Sequence, residues 1–294
     1  MLYSKIRRFC FQLYQFHFDH SCYRYCYCFE NDMETFLILA YLAMNYALAV
    51  DYCTINSCDP GTHIACNNNG VSLNYFDAKT MYFDLTLINA VIDGHNEKRN
   101  HVASGNFEDF KPAARMATLK WDPELAELAE LNVLKCIVRR DQCRSTEKFP
   151  YAGQNLFMAG TTETVSNTLP FIQHSIQNWF EESRFTTMEY IDKFPLHSAI
   201  KIRPFTQMIA EQNVAIGCGA ILYKCTESKI TFNSILLACN YATTNFIDRP
   251  VYTSSTKPAS DCKFKSTKYP NLCSESEVYQ LKHELGTRNQ LKAV

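Results

Sequence analysis

The chain has 294 residues, 47% of them hydrophobic and 20% charged, enough apolar mass for one or two cores and too much for wholesale disorder. Lys plus Arg number 29 against 30 for Asp plus Glu, so no global basic field draws in a polyanion and no nucleic acid is expected as a partner. Fourteen cysteines, with no C-x-x-C pair matched by a second at zinc-ribbon spacing, predict a disulfide framework instead of a reduced cytosolic enzyme.

Residues 1–32, with Arg7-Arg8 and the aromatic-rich Cys22-Tyr23-Arg24-Tyr25-Cys26-Tyr27-Cys28, show neither a helical nor a strand period. They read as an N-terminal extension that is either not translated or removed. Residues 33–49 read as a signal peptide: an apolar run opened by Met33 and closed by the small-x-small pattern Ala47-Leu48-Ala49, with cleavage expected before Val50. A membrane span needs about 20 apolar residues. Phe36 to Val50 offers 15 and includes Asn45, so no permanent membrane anchor is expected.

Ten cysteines lie beyond that point, an even number suited to a secreted chain. Residues 50–81 form a Cys-rich segment in which Cys53, Cys58 and Cys66 sit among Asp59-Pro60-Gly61 and Asn67-Asn68-Asn69-Gly70. That segment has too little apolar surface to hold itself, so disulfides must staple it. The main domain is expected over 82–248. Apolar residues from Asp84 to Val102 recur at helical spacing with His95 and Arg99 on or near the same face, and Gly105 stops the run. Asp122 caps a second helix with Pro123 at its first position. A third is expected near Thr168 to Phe180, where Pro170 is tolerated only in the first turn, and a shorter one near Phe205 to Gln212. Val214–Tyr223 and Ile230–Cys239 read as a strand hairpin, with shorter strands near Met116 to Trp121 and Asn155 to Ala159. Helices would then cover both faces of a small sheet, an α+β layered fold. Residues 249–294 read as a Pro/Ser/Thr/Lys linker, a small loop closed by Cys262 and Cys273, and a polar tail.

Several segments in order resemble the CAP superfamily (cysteine-rich secretory, antigen 5, pathogenesis-related), and within it insect antigen 5 or venom-allergen-like proteins. They are His95-Asn96-Glu97-Lys98-Arg99, Trp121-Asp122, Gly153-Gln154-Asn155-Leu156, Trp179-Phe180-Glu181-Glu182, Phe205-Thr206-Gln207-Met208, Gly217-Cys218-Gly219 and Cys239-Asn240-Tyr241. The resemblance spans about residues 51 to 275 and implies a secreted three-layer α-β-α sandwich. It also implies the disulfides Cys53–Cys66, Cys58–Cys143, Cys218–Cys239 and Cys262–Cys273. Cys136 and Cys225 are left over, either bridging each other or remaining as thiols.

Many members of that family carry a cleft of two histidines and two acids, a set suited to divalent metals. The matching positions here are Arg140, Gln154, Glu182 and Pro204. Guanidinium and proline do not ligate a cation, so no metal and no catalytic residue is expected, and Glu182 is left to pair with Arg140 or to accept from backbone or Gln154. His95 with Arg99 reads as a hydrogen-bonded core anchor. His197 is a remote alternative for the cleft. No Gly-x-Ser-x-Gly elbow and no Gly-rich phosphate loop occurs, so no cofactor is implied. The expectation is a secreted, extracellular, non-catalytic protein with a degenerate cleft, binding a small apolar ligand of the sterol or fatty acid class or an extracellular protein. The alternatives are a secreted metal-dependent hydrolase and a membrane-anchored surface protein.

Overall fold

The computed structural model describes residues 9–16, 22–29, 50–68, 70, 77–196 and 201–280. The chain divides into two compact units, Met1–Asp51 and Tyr52–Val294. The expected signal peptide and His197 lie outside the described residues. In the first unit, β1 (Phe9–Phe16) and β2 (Cys22–Phe29) pair antiparallel, from Phe9 opposite Phe29 to Phe16 opposite Cys22. This corrects the reading of residues 1–32 as having no strand character. Both segments are rich in Phe and Tyr, which favour strands, and the cysteines and arginine among them obscure a simple apolar–polar alternation.

The second unit is a three-layer sandwich. Its sheet runs β3 (Lys79–Thr80), β6 (Ala215–Glu227), β7 (Ile230–Tyr241), β5 (Gly153–Thr161), with β4 (Lys120–Trp121) parallel to β6. On one face lie α1 (Leu85–Ala103), α3 (Leu169–Phe180) and α5 (Arg203–Ile209); α2 (Pro123–Val133) covers the other. A 3₁₀ turn (Glu181–Phe185) and the short α4 (Met188–Asp192) follow α3. Both long N-terminal caps form: Asp84 accepts from the amide of Leu87 and Asp122 from that of Leu125, satisfying otherwise orphaned donors.

The strand period of two sorts β6 cleanly. Ile216, Cys218 and Ala220 join the large core with Val91, Trp179 and Phe205, while Ile221 and Tyr223 face α2 with Ala129 and Val133. At Gly217 and Gly219 the backbone of α2 lies so close that a Cβ would collide with it. Disulfides join Cys53–Cys66, Cys58–Cys143, Cys218–Cys239 and Cys262–Cys273. Cys136 and Cys225 are outside these four bonds and adjoin the core beneath α2.

Residues 249–261 are not a linker. Val251, Tyr252 and Ala259 are buried, and the amides of Ala259 and Asp261 donate to the carbonyls of Ala113 and Ala114. Composition misled because the few apolar residues in a polar stretch carry the packing. Cys273 then docks against the main domain, its carbonyl accepting from the Thr118 hydroxyl at 2.6 Å.

Candidate functional site

The cleft is built from four elements that an interior network ties together. Asp141, in the loop after α2, is buried; its carboxylate accepts from Asn132 at 2.6 Å and from Gln154 at 2.8 Å, with Lys135 at 3.4 Å. Arg144 donates to the Asp141 carbonyl and to that of Ala152. Gln154, on β5, also accepts from the Asp141 amide at 3.2 Å and donates to Asn240 on β7 at 3.0 Å. Next along β5, Asn155 donates to the Pro204 carbonyl at 3.0 Å and to the Tyr241 hydroxyl at 3.2 Å. These bonds hold Arg140, beside Asp141, and Arg203, beside Pro204, at one end of the sheet. Glu182 enters from the 3₁₀ turn.

Gln154 therefore faces Asp141 and Asn240 and does not reach Glu182. No described ion pair joins Arg140 to Glu182 either, so neither expected partner meets that carboxylate. Its Oε2 is buried without a hydrogen bond. Burial raises the Glu182 pKa above the usual carboxylate range against the pull of Lys201, Arg140 and Arg184. Burial likewise pushes the Arg140 guanidinium down to about 10, with Arg203 and Arg144 adding like-charge repulsion. The donor set does not fit a divalent cation. Gln154 is engaged, Pro204 has no ligating side chain, Arg140 repels a cation, and among the described residues no three His, Cys, Asp or Glu side chains cluster as ligands.

His95 is fully buried on α1, within hydrogen-bond reach of the Val91 carbonyl and the Tyr241 hydroxyl. Arg99, one turn on, donates to the carbonyls of Ala117, Met208, Ala210 and Asn213, a structural clamp with every acceptor on the backbone. Reading the sequence missed Arg203 and Lys201 as cleft cations. Arg203 directly before Pro204 and Lys201 two residues before Arg203 were the available signal, but charge alone does not say which way a side chain turns.

A second feature lies between α1 and α3: a groove of ≈ 680 Å³. Ala90, Gly94, Leu169 and Ile176 supply apolar surface, while the rest of the lining is polar or charged, Asp93, Glu97 and Lys98 included. Gly94 lets the helices close, since a Cβ there would stand 3.1 Å from Ile176 Cδ1. No described helix is long and apolar enough to cross a membrane.

The model of the Cysteine-rich secretory protein family (CAP) matches residues 92–241. The chain is 34% identical to Venom allergen-1 of Aedes aegypti over 230 residues, 77% of this chain and 88% of the relative. It is 36% identical to Antigen 5 like allergen Cul n 1 of Culicoides nubeculosus, over 63% of this chain and 89% of that one. The fold is shared with the structure of BmVAL-1, at a TM-score of 0.53 and 18% identity over 65% of this chain and 95% of the other. It is shared also with the crystal structure of NaASP2 with Zn2+, at a TM-score of 0.50 and 22% identity over 65% and 96%.

Proposed function

The chain belongs to the Cysteine-rich secretory protein (CAP) family, and we propose that it acts outside the cell as a non-catalytic carrier of a small apolar ligand of the sterol or fatty acid class, held between α1 and α3. The groove is the observation that carries this reading. Its apolar surface at Ala90, Gly94, Leu169 and Ile176 suits a hydrocarbon, and the charged Glu97 and Lys98 beside it suit a polar head group. The cleft at Arg140, Gln154, Glu182 and Pro204 is proposed to be metal-free and without hydrolytic function, because it offers one carboxylate and neither a nucleophile–base pair nor a ligand set. Secretion follows from cleavage between Ala49 and Val50, the processing the N-terminal pattern favours.

Lipid extraction from the purified secreted chain, followed by mass spectrometry, is the test. The expected result is a co-purifying sterol or fatty acid that is lost in an Ala90→Glu variant, which puts a charge into the groove at a half-buried position outside the core. A lipid-free preparation that takes up no added fatty acid or sterol would overturn the carrier reading in favour of a protein partner. The same spectra give the mature N-terminus, expected at Val50.

A further inference from the structure

We infer that His63 is the latch of an acid-released flap: its neutral imidazole holds residues 62–66 against the loop 143–146, and on protonation that stretch lifts away while Cys58–Cys143 and Cys53–Cys66 keep it tethered. The inference goes beyond the carrier reading and uses none of the groove residues, so either stands if the other fails.

The first observation is the direction of two hydrogen bonds on a buried ring. His63 is 3% exposed, and both of its nitrogens are engaged. The backbone amide of Ala65 donates to Nδ1 at 3.0 Å, so Nδ1 carries no proton, and Nε2 is then the nitrogen that donates to the Ser145 carbonyl 2.8 Å away. Only the neutral tautomer satisfies both bonds. A second proton has to enter at Nδ1, where it would point at the Ala65 N–H and break that bond. Tyr52 stacks on the ring, with centroids 4.6 Å apart and planes 17° from parallel, so the charge would also be kept from water on that side. Burial lowers the His63 pKa accordingly, against the pull of the Ser145 carbonyl and of Asp141.

The second observation is that apolar burial in this segment is slight. From Val50 to Asn68 only Cys58, His63 and Ile64 are buried. The Ile64 amide donates to the Cys143 carbonyl at 2.9 Å, and residue 63 itself pairs with Cys143 as an isolated parallel bridge. Both contacts sit where His63 fixes the chain, so losing the latch loosens them together, a local opening and not a global one. The charges facing the ring are Asp141, which favours its protonation, and Arg144, which opposes it. Across the stacked ring, the Tyr52 hydroxyl donates to Glu124 on α2 at 2.8 Å, and Glu127 and Glu147 act on the same phenol. Burial raises the Glu124 pKa, so acidification favours the docked form at that carboxylate and the release belongs to His63. The loop set free carries Arg144 beside the buried Asp141, which links the flap to the Gln154 network.

Amide hydrogen exchange of the disulfide-intact chain at pH 7 and pH 5, corrected for the intrinsic rate at each pH, tests this. In the open flap the imidazole takes its ordinary pKa of about 6.5, so protection of the Ala65 and Ile64 amides is expected to fall about fivefold or more between the two. The paired strands β6 and β7 are expected to keep their protection. His63→Asn does not titrate in this range, and its side chain can still accept from the amide two residues on. In that variant, whether its flap is docked or already open, the protection of Ala65 and Ile64 is expected to be the same at both pH values. A magnetic-resonance titration of the His63 ring in the parent gives an independent reading, expected below about 6.5. Unchanged protection of Ala65 and Ile64 at pH 5, loss shared equally by β6 and β7, a His63 ring that titrates at or above that value, or a His63→Asn variant with the parent's pH dependence would each overturn the inference.

Discussion

His95 Nε2 lies 2.9 Å from the hydroxyl of Tyr241, 146 positions away in sequence, and its Nδ1 lies 2.8 Å from the carbonyl of Val91. A carbonyl only accepts, so Nδ1 carries the proton and Nε2 is left as an acceptor. The Tyr241 hydroxyl must then donate to Nε2, and Asn155 in turn donates to the Tyr241 oxygen at 3.2 Å. Direction is therefore set along the whole chain from Asn155 through Tyr241 and His95 to Val91, tying β5, β7 and α1 together.

This direction requires a neutral imidazole. Burial, with the nearby charges of Arg99 and Lys98 adding to it, lowers the His95 pKa to about 4. The unfolded chain takes up a proton near pH 6.5 that the folded chain refuses, so stability falls as pH drops from about 6.5 towards 4. The loss at this position is on the order of 3 kcal/mol. His63, whose pKa burial also lowers, acts in the same sense; Glu182 and Glu211, raised by burial, act in the opposite one. Subtracting the urea-unfolding free energies of His95→Gln from those of the parent at each pH isolates the histidine. The parent's advantage is expected to shrink between pH 7 and 4, and a constant difference would show that His95 titrates in the fold as it does in the unfolded chain.

How much of this was legible in the sequence depended on whether a local signal coincided with the tertiary one. The helices at 85–103, 123–133 and 169–180 announced themselves because Asp84, Asp122 and the placement of Pro123 and Pro170 mark their starts while their apolar faces keep period. The Glu181–Phe185 turn and α4 are too short to show a period, so they stayed hidden. In the cleft, Arg140 and Pro204 drew notice only through the resemblance. The Asp141 network that positions them joins residues from 132 to 240, and no sequence pattern encodes which of many buried amides and carboxylates will meet.

The contact between α2 and β6 yields a second prediction. A Cβ on Gly217 would strike the backbone amide of Ala126 and the carbonyl of Asp122. Backbone in a capped first turn cannot swing aside as a side chain would, so Gly217→Ala must push α2 off the sheet or bend the strand. A loss of about 3 kcal/mol is expected, at the upper end for overpacking. Denaturant unfolding measures it, and a midpoint within experimental error of the parent would mean that the helix sits farther away.

Disulfide loss should follow loop size. Cys58–Cys143 closes 85 residues and also ties the Cys-rich segment to the main domain, whereas Cys262–Cys273 closes 11. On the chain-entropy relation these correspond to about 4.5 and about 3 kcal/mol respectively. Paired Cys→Ala variants, compared by thermal and denaturant unfolding, are expected to rank in that order. The reverse order would place the main effect in the folded state, at the docking of residues 262–273.

The last prediction concerns the metal that this cleft is proposed not to hold. Zinc at protein sites takes about four nitrogen, sulfur or oxygen ligands, most of them imidazole, thiolate or carboxylate. Here Glu182 is the single anionic donor at the four cleft positions, and Arg140 brings a positive charge against any cation entering beside it. Replacing both obstructions, as Arg140→His with Pro204→His, would add two neutral imidazoles near that carboxylate. Pro204 stands in the first turn of α5, where its missing amide proton serves no helix bond, so histidine there should be tolerated. Asn155 contacts only its carbonyl, which the substitution keeps. Zinc titration is expected to give no stoichiometric binding for the parent and roughly micromolar binding for the double variant. Adding Glu182→Ala to the double variant should weaken that binding about tenfold, the loss of one charged ligand. Stoichiometric zinc binding by the parent that Glu182→Ala abolishes would reverse the reading of this cleft and revive the hydrolase alternative.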